Sequence, residues 1–302
     1  MNGGISLGFQ TVKGDVGEST RKSKSFKEQM EEQILKMKQI PVNKKVLLSG
    51  ENGTAKSSLA LGIMTYDLQP NEVIIYVDID NSGLEIAKDF YKDAWNNNQI
   101  IIYRPAEYMR REDGFKVKDE EKTIHAISNI AMDVEGLLKE GVNVKGVIVD
   151  GVSFVLEFCE AFMRLEEDIS VADGVPMQKW KIRNAAFRDF SSPYMSLPVP
   201  VIFVSHADFI PELQEESSDD FGFSSVKQRF IDECSMRFIL TKKDDEDLTD
   251  YVATIKKNRS DLTTENMQFI FLTRNKKTDD IVPDLKDISN IIFPQKTNGN
   301  KK

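Results

Sequence analysis

The chain has 302 residues, 40% of them hydrophobic and 29% charged, with a formal net charge of −9. That length holds one large α/β domain with an N-terminal appendage, or two small domains. Two cysteines and two histidines are too few for a disulfide scaffold or a structural zinc site, no apolar run reaches membrane-spanning length, and the acidic balance argues against attraction of nucleic acid over the whole surface.

Residues 1–24 are rich in Gly, Ser and Lys and are expected to be flexible. Phe26, Met30, Ile34, Met37 and Ile40 then recur every three to four residues, which predicts an amphipathic helix ended by Pro41. Residues 1–41 therefore precede a domain expected over 42–294, and the polar segment 295–302 reads as a disordered tail. Apolar, β-branched runs at 46–49, 73–77, 100–103, 144–149 and 199–204 predict buried strands. A helix over 118–140 carries an apolar stripe through Ile124, Ile127, Ile130, Met132 and Leu137. Such runs alternating with helices predict an α/β fold, a mostly parallel central sheet with helices on both faces. After residue 230 the pattern changes. Strands at 236–240, 251–255 and 267–272 with short polar connections predict a C-terminal antiparallel extension.

Charge is uneven. Residues 20–45 and 176–188 are basic, and 212–220 and 244–250 are acidic. A local basic channel for nucleic acid is compatible with the net charge. The scarce cysteines, and an N-terminus without a basic-then-apolar leader, predict a reducing, cytoplasmic location.

The first strand runs into Gly50-Glu51-Asn52-Gly53-Thr54-Ala55-Lys56-Ser57-Ser58, followed by a helical stretch at 59–64. Gly, four residues, a small residue and Lys-Ser form the frame of a phosphate-binding loop. Such a loop turns backbone N–H groups and a helix N-terminus toward a polyphosphate. Lys56 would reach the terminal phosphates and the Ser57 hydroxyl would ligate Mg²⁺. Ala55 stands where a glycine is usual. The plainer alternative is a glycine-rich turn before a helix.

Two other strands end in acids. Val147-Ile148-Val149-Asp150 would supply a carboxylate to the Mg²⁺ shell, although a strand-end aspartate also serves to cap the next helix. In Tyr76-Val77-Asp78-Ile79-Asp80, alternation would place Asp78 and Asp80 on one side. Asp80, the outer of the two, is the expected base toward an attacking water; the alternative is that 80–83 is only a turn. Ser205-His206 follows the fifth strand, where a sensor of the terminal phosphate would stand, or where a histidine would be structural. Lys256-Lys257-Asn258-Arg259 closes a late strand. It would be a finger reaching a neighbouring subunit's phosphate, or a solvated hairpin tip. Lys179, Trp180, Lys181, Arg183 and Arg188 combine basic and aromatic character suited to single-stranded DNA, or form an amphipathic helix with Trp180 inward.

Taken in this order, these segments resemble the RecA-like ATPase core shared by RecA and RadA recombinases, DnaB-type helicases and KaiC-type ATPases. The likeness spans roughly 42–275 and is nearest to small virus- and phage-encoded RecA-like ATPases. It implies a P-loop NTPase that binds ATP at 50–58, with Asp150 on Mg²⁺ and Asp80 matching the glutamate that activates water. His206 falls where recombinases carry a sensing glutamine, and Lys257 and Arg259 match fingers acting on a neighbour's nucleotide. The resemblance implies head-to-tail assembly into a ring or filament, and action on single-stranded DNA in recombination or replication. A RecA-like or KaiC-like switch that binds protein instead is the alternative, favoured by the acidic segment 212–220 where recombinases hold DNA. A small-molecule kinase would need an arginine-rich lid, for which only Arg110 and Arg111 offer themselves.

Overall fold

The computed structural model describes residues 44–105, 109–112, 115–170, 172–206 and 223–293, all within the unit Val42–Lys302. The expected helix over 26–40, the acidic segment 212–220 and the tail 295–302 lie outside the described residues. In chain order the elements are β1 (Lys45–Gly50), α1 (Lys56–Thr65), β2 (Val73–Asp78), α2 (Gly83–Phe90), α3 (Lys92–Asn96) and β3 (Ile100–Tyr103). Next come β4 (Met109–Glu112), β5 (Phe115–Lys118), α4 (Glu120–Lys139), β6 (Val144–Asp150), α5 (Val152–Glu166), α6 (Trp180–Ser196) and β7 (Val201–His206). The chain continues with α7 (Phe223–Glu233), β8 (Met236–Asp244), β9 (Leu248–Asn258), β10 (Gln268–Asn275), β11 (Ile281–Pro283) and α8 (Lys286–Ile292).

Nine strands form one sheet in the order β11-β10-β9-β8-β1-β7-β6-β2-β3, and β4 pairs with β5 in a separate hairpin. The six strands from β8 to β3 are mutually parallel; β9, β10 and β11 each run antiparallel to their neighbours. The α/β class, the mostly parallel sheet and the antiparallel C-terminal flank are thus all present. The flank begins one strand later than the spacing predicts. The connection through α7 returns β8 in the direction of β1, with Val46 opposite Met236, and reversal occurs only at the β8–β9 turn.

Strand alternation sorts the core into two layers. Leu47, Val77, Val149 and Phe203 pack with α4, α5, α6 and α7 on one face. Val46, Leu48, Ile148, Ile202 and Val204 pack with α1 and α8 on the other. Both faces are covered, which is why the central strands read as unbroken apolar runs rather than alternating ones. Each fully buried aliphatic side chain there contributes about 1.5–3 kcal/mol. Among the described residues no helix is long and apolar enough to cross a membrane.

Candidate functional site

Parallel pairing sets the tips of four strands side by side at one edge of the sheet. Gly50 of β1 is opposite His206 of β7, Asp150 of β6 is opposite Val204, and Asp78 of β2 is opposite Asp150. The carboxyl ends of parallel strands are where α/β sheets hold ligands. A cleft of about 240 Å³ opens there, lined among others by Asn52, Lys56, Ser57, Asp80, Asp150 and His206.

The loop between β1 and α1 is shaped by backbone constraints. A Cβ on Gly50 would lie 2.5 Å from the Leu240 carbonyl oxygen, so the close approach of β8 requires glycine. Gly53 has φ +76° and Ala55 φ 57°, both left-handed, and Ala55 holds that conformation despite its methyl group. The Thr54 hydroxyl donates to the Glu51 carbonyl at 2.8 Å. Lys56 is buried, and its Nζ donates to the carbonyls of Gly50 (3.0 Å) and Glu51 (2.8 Å), which folds its ammonium over the loop. No side chain caps the start of α1, and its first turn carries no acid. Ser57 and Ser58 of that first turn line the cleft. A helix N-terminus that the chain leaves uncapped, beside a lysine, fits an anion supplied from outside.

Asp150 is 1% exposed. It accepts hydrogen bonds from the Tyr76 hydroxyl and from Ser57. Burial pushes its carboxyl up to about 7, the Asp80 charge adds to this, and the two hydroxyls oppose it. It does not cap α5: the N-cap position is Gly151, φ +102°, with no side-chain cap. The Ser57 hydroxyl and the Asp150 carboxylate offer hard oxygen donors, and among the described residues no three His, Cys, Asp or Glu group as a self-sufficient metal site. Such a sparse donor set suits Mg²⁺, which keeps several waters and takes the rest of its ligands from phosphates.

The expected partnership of Asp78 and Asp80 is corrected. β2 ends at Asp78, so strand alternation does not continue to Asp80. Asp78 is fully buried and accepts from Gly83 N–H at 3.0 Å and Arg104 Nε at 3.1 Å. It anchors the turn and the start of α2. Asp80 alone reaches the cleft, half-buried, where it accepts from Ser82 N–H (3.0 Å) and the Ser82 hydroxyl (2.8 Å). Turn and cleft residue are thus the same carboxylate.

His206 lines the cleft, and its backbone N–H donates to the Ser153 hydroxyl at 2.8 Å. Its ring meets Phe154 edge-on, with centroids 5.4 Å apart. One residue back, Ser205 and Ser49 share a hydrogen bond of 2.7 Å that ties β7 to β1.

Lys257 and Arg259 stand elsewhere. Because β9 is antiparallel, Lys257 lies opposite Arg237 and Asn258 opposite Met236, which pairs with Val46 near the start of β1. That is the end of the sheet away from Gly50. Lys257 Nζ donates to the carbonyls of Ile231 (3.0 Å) and Asp232 (2.9 Å), and the Arg259 guanidinium donates to the Asp232 carbonyl. Both hold the C-terminal turn of α7 in their own chain.

The basic cluster after β6 is largely committed within the protein. Lys179 pairs with Glu167. Arg183 is buried, stacks over the half-buried Trp180 with its guanidinium carbon 4.2 Å from the ring centre, and donates to Asn184 Oδ1. Lys181 is exposed. Arg188 is exposed and donates to the Asn184 carbonyl. Trp180 thus has one face covered by Arg183 of its own chain.

Residues that sequence reasoning left without a role also meet here: Tyr76, Ser82, Ile86 and Ser153. The usable signal was Tyr76, a hydroxyl in an otherwise aliphatic strand, which must find a partner when buried.

No protein-family model matches the sequence, and no curated protein matches it. Among solved structures the chain is similar to a KaiC-like protein from the hyperthermophilic archaeon Pyrococcus horikoshii, at 13% identity and a TM-score of 0.47, over 81% of this chain and 91% of that one.

Proposed function

We propose that this protein is a Mg²⁺-dependent ATPase of RecA-like type that works as an oligomer on single-stranded DNA in recombination or replication. The observation that carries the ATPase reading is the convergence of Lys56, Ser57, Asp80 and Asp150 on one cleft at the head of an uncapped helix. Lys56 turns its ammonium from the loop carbonyls to the β- and γ-phosphates, and the loop N–H groups hold the rest of the chain of phosphates. Ser57 and Asp150 hold Mg²⁺, which when bound neutralises charge on the phosphates. Asp80 orients the attacking water in line with the γ-phosphorus and takes its proton as the bond to the β-phosphate oxygen breaks and ADP leaves. His206 donates from the strand tip toward the terminal phosphate, and Ser153 couples that tip to α5. Lys257 and Arg259, at the end of the sheet away from their own cleft, would release the carbonyls of Ile231 and Asp232 to serve a neighbouring subunit's cleft.

DNA as the partner rests on the resemblance and on Lys181 and Arg188, the exposed cations of the basic cluster. The committed state of Lys179 and Arg183 favours a second reading, a nucleotide-driven switch that binds protein. ATP turnover measured with and without single-stranded DNA, alongside oligomer size, tests both. Stimulated turnover in a salt-sensitive oligomer supports the DNA reading. Turnover indifferent to DNA supports the switch, and no turnover under any condition overturns the ATPase.

A further inference from the structure

Of the two carboxylates that the ATPase reading relies on, Asp150 ends β6 and Asp80 stands in the turn after β2, and one side chain touches the surroundings of both. Tyr76 is fully buried in β2, opposite Ile148 of β6, on the same layer as α1. Its hydroxyl donates to Oδ2 of Asp150, one strand over and two residues further along. Asp150 is also held by the Ser57 hydroxyl, so its carboxylate is gripped from β2 and from α1. The other flank of the tyrosine ring presses on Gly83. A Cβ there would sit 2.2 Å from Cε1 and 2.6 Å from Cζ of Tyr76, so the ring fills the space a side chain would take. Gly83 N–H in turn donates to Asp78, and the 78–83 turn it closes carries Asp80.

We propose that Tyr76 is a positioning residue that fixes the Asp150 carboxylate for metal binding and, through its ring, sets the turn that presents Asp80. The proposal rests on the ATPase reading but adds to it. Sequence gives this strand only its acids; the structure gives the phenol a task. By claiming Oδ2, the hydroxyl fixes the plane of the carboxylate and leaves its remaining lone pairs for the metal's shell. Groups that orient a ligand in this way typically contribute 10–100-fold to metal affinity or activity.

The test is a Mg²⁺ titration of the full chain bound to a fluorescent ATP analogue, in wild type, Tyr76→Phe, Asp150→Asn and the double variant. Phenylalanine keeps the buried ring and its contact with Gly83, so the layer stays filled. In Tyr76→Phe the Mg²⁺ midpoint rises about tenfold, while binding of the analogue in EDTA stays unchanged. In the Asp150→Asn background the same substitution adds nothing further, because its effect passes through Asp150. A Tyr76→Phe midpoint within twofold of wild type overturns the proposal, as does an equal shift with and without Asp150. Failure of the wild-type chain to bind the analogue at all would instead overturn the ATPase reading beneath it.

Discussion

Two aspartates end strands at the same edge of the sheet and have opposite fates. Asp150 ends β6 and Asp244 ends β8. Burial raises the Asp150 carboxyl to about 7. Asp244 is exposed and accepts hydrogen bonds from Thr249, Lys276 and Lys242, which hold its carboxyl down at about 2. One sits between covered layers, with two hydroxyls on it and two other acids, Asp80 and Asp78, nearby. The other sits on a hairpin that projects past the end of β1, among lysines and water. A strand-end acid is therefore not a site by itself. In the proposed reading the parallel tips carry chemistry because charge there is buried and left to a ligand to satisfy, whereas on the antiparallel flank it is already satisfied.

The largest expected effect separates Asp78, which ends β2, from Asp80 in the turn beyond it. Asp80→Asn lowers ATP turnover about 100-fold with nucleotide binding retained, the loss expected when a general base is removed. Asp78→Ala instead costs about 1–3 kcal/mol of stability, since the buried Gly83 N–H and Arg104 lose their acceptor. Steady-state kinetics and urea melts on both variants check the pair. Equal turnover defects without a stability loss at Asp78 would erase the distinction.

The next effect follows from the raised Asp150 carboxyl. Between about pH 4 and 7 the folded state keeps a proton that the unfolded state has lost, so stability of the metal-free protein falls as pH rises through that window, by at most about 1.4 kcal/mol per pH unit. Mg²⁺ competes with the same proton, so metal affinity rises with pH until about 7 is passed. Asp150→Asn removes this proton's share of the slope. Urea denaturation at pH 5 and 7.5, with EDTA, reads the difference between the variant and wild type.

A smaller effect is expected at Ala55, whose left-handed φ of 57° suits glycine. Ala55→Gly stabilises the protein by about 1 kcal/mol in thermal unfolding if relief of the strained backbone outweighs the added freedom of the unfolded chain. Smallest of all, Asp244→Asn shifts the thermal midpoint by less than about 2 °C, as suits an exposed, screened cluster. A large shift there would mean that the flank is not the passive partner in the comparison.

Much of this layout was legible in the chain. Strands buried on both faces leave unbroken apolar runs, and the spacing of Gly50, Gly53, Lys56 and Ser57 is dictated by backbone geometry that few other sequences satisfy. What was illegible depended on partners distant in sequence. The direction of β8 is set by how α7 returns the chain, not by the composition of 236–240. Asp78 and Asp80 look alike in sequence, and only the end of β2 at Asp78 separates an anchor from a cleft residue. The antiparallel course of β9 carries Lys257 and Arg259 to the end of the sheet away from their own cleft, and nothing in their sequence announces the carbonyls of Ile231 and Asp232 that they grip there. In the β4–β5 hairpin the apolar alternation is confined to Phe115 and Val117, too short a run among charges to mark a strand.

Equilibrium binding of ATP to the wild-type chain and to Lys56→Ala bears most directly on the claim that residues 50–58 enclose a triphosphate. The account predicts saturable, Mg²⁺-strengthened binding by wild type and a loss of about 100-fold in the variant, the value of charge-assisted hydrogen bonds to phosphate. Equal affinity in the two proteins, or no binding by either, would contradict it.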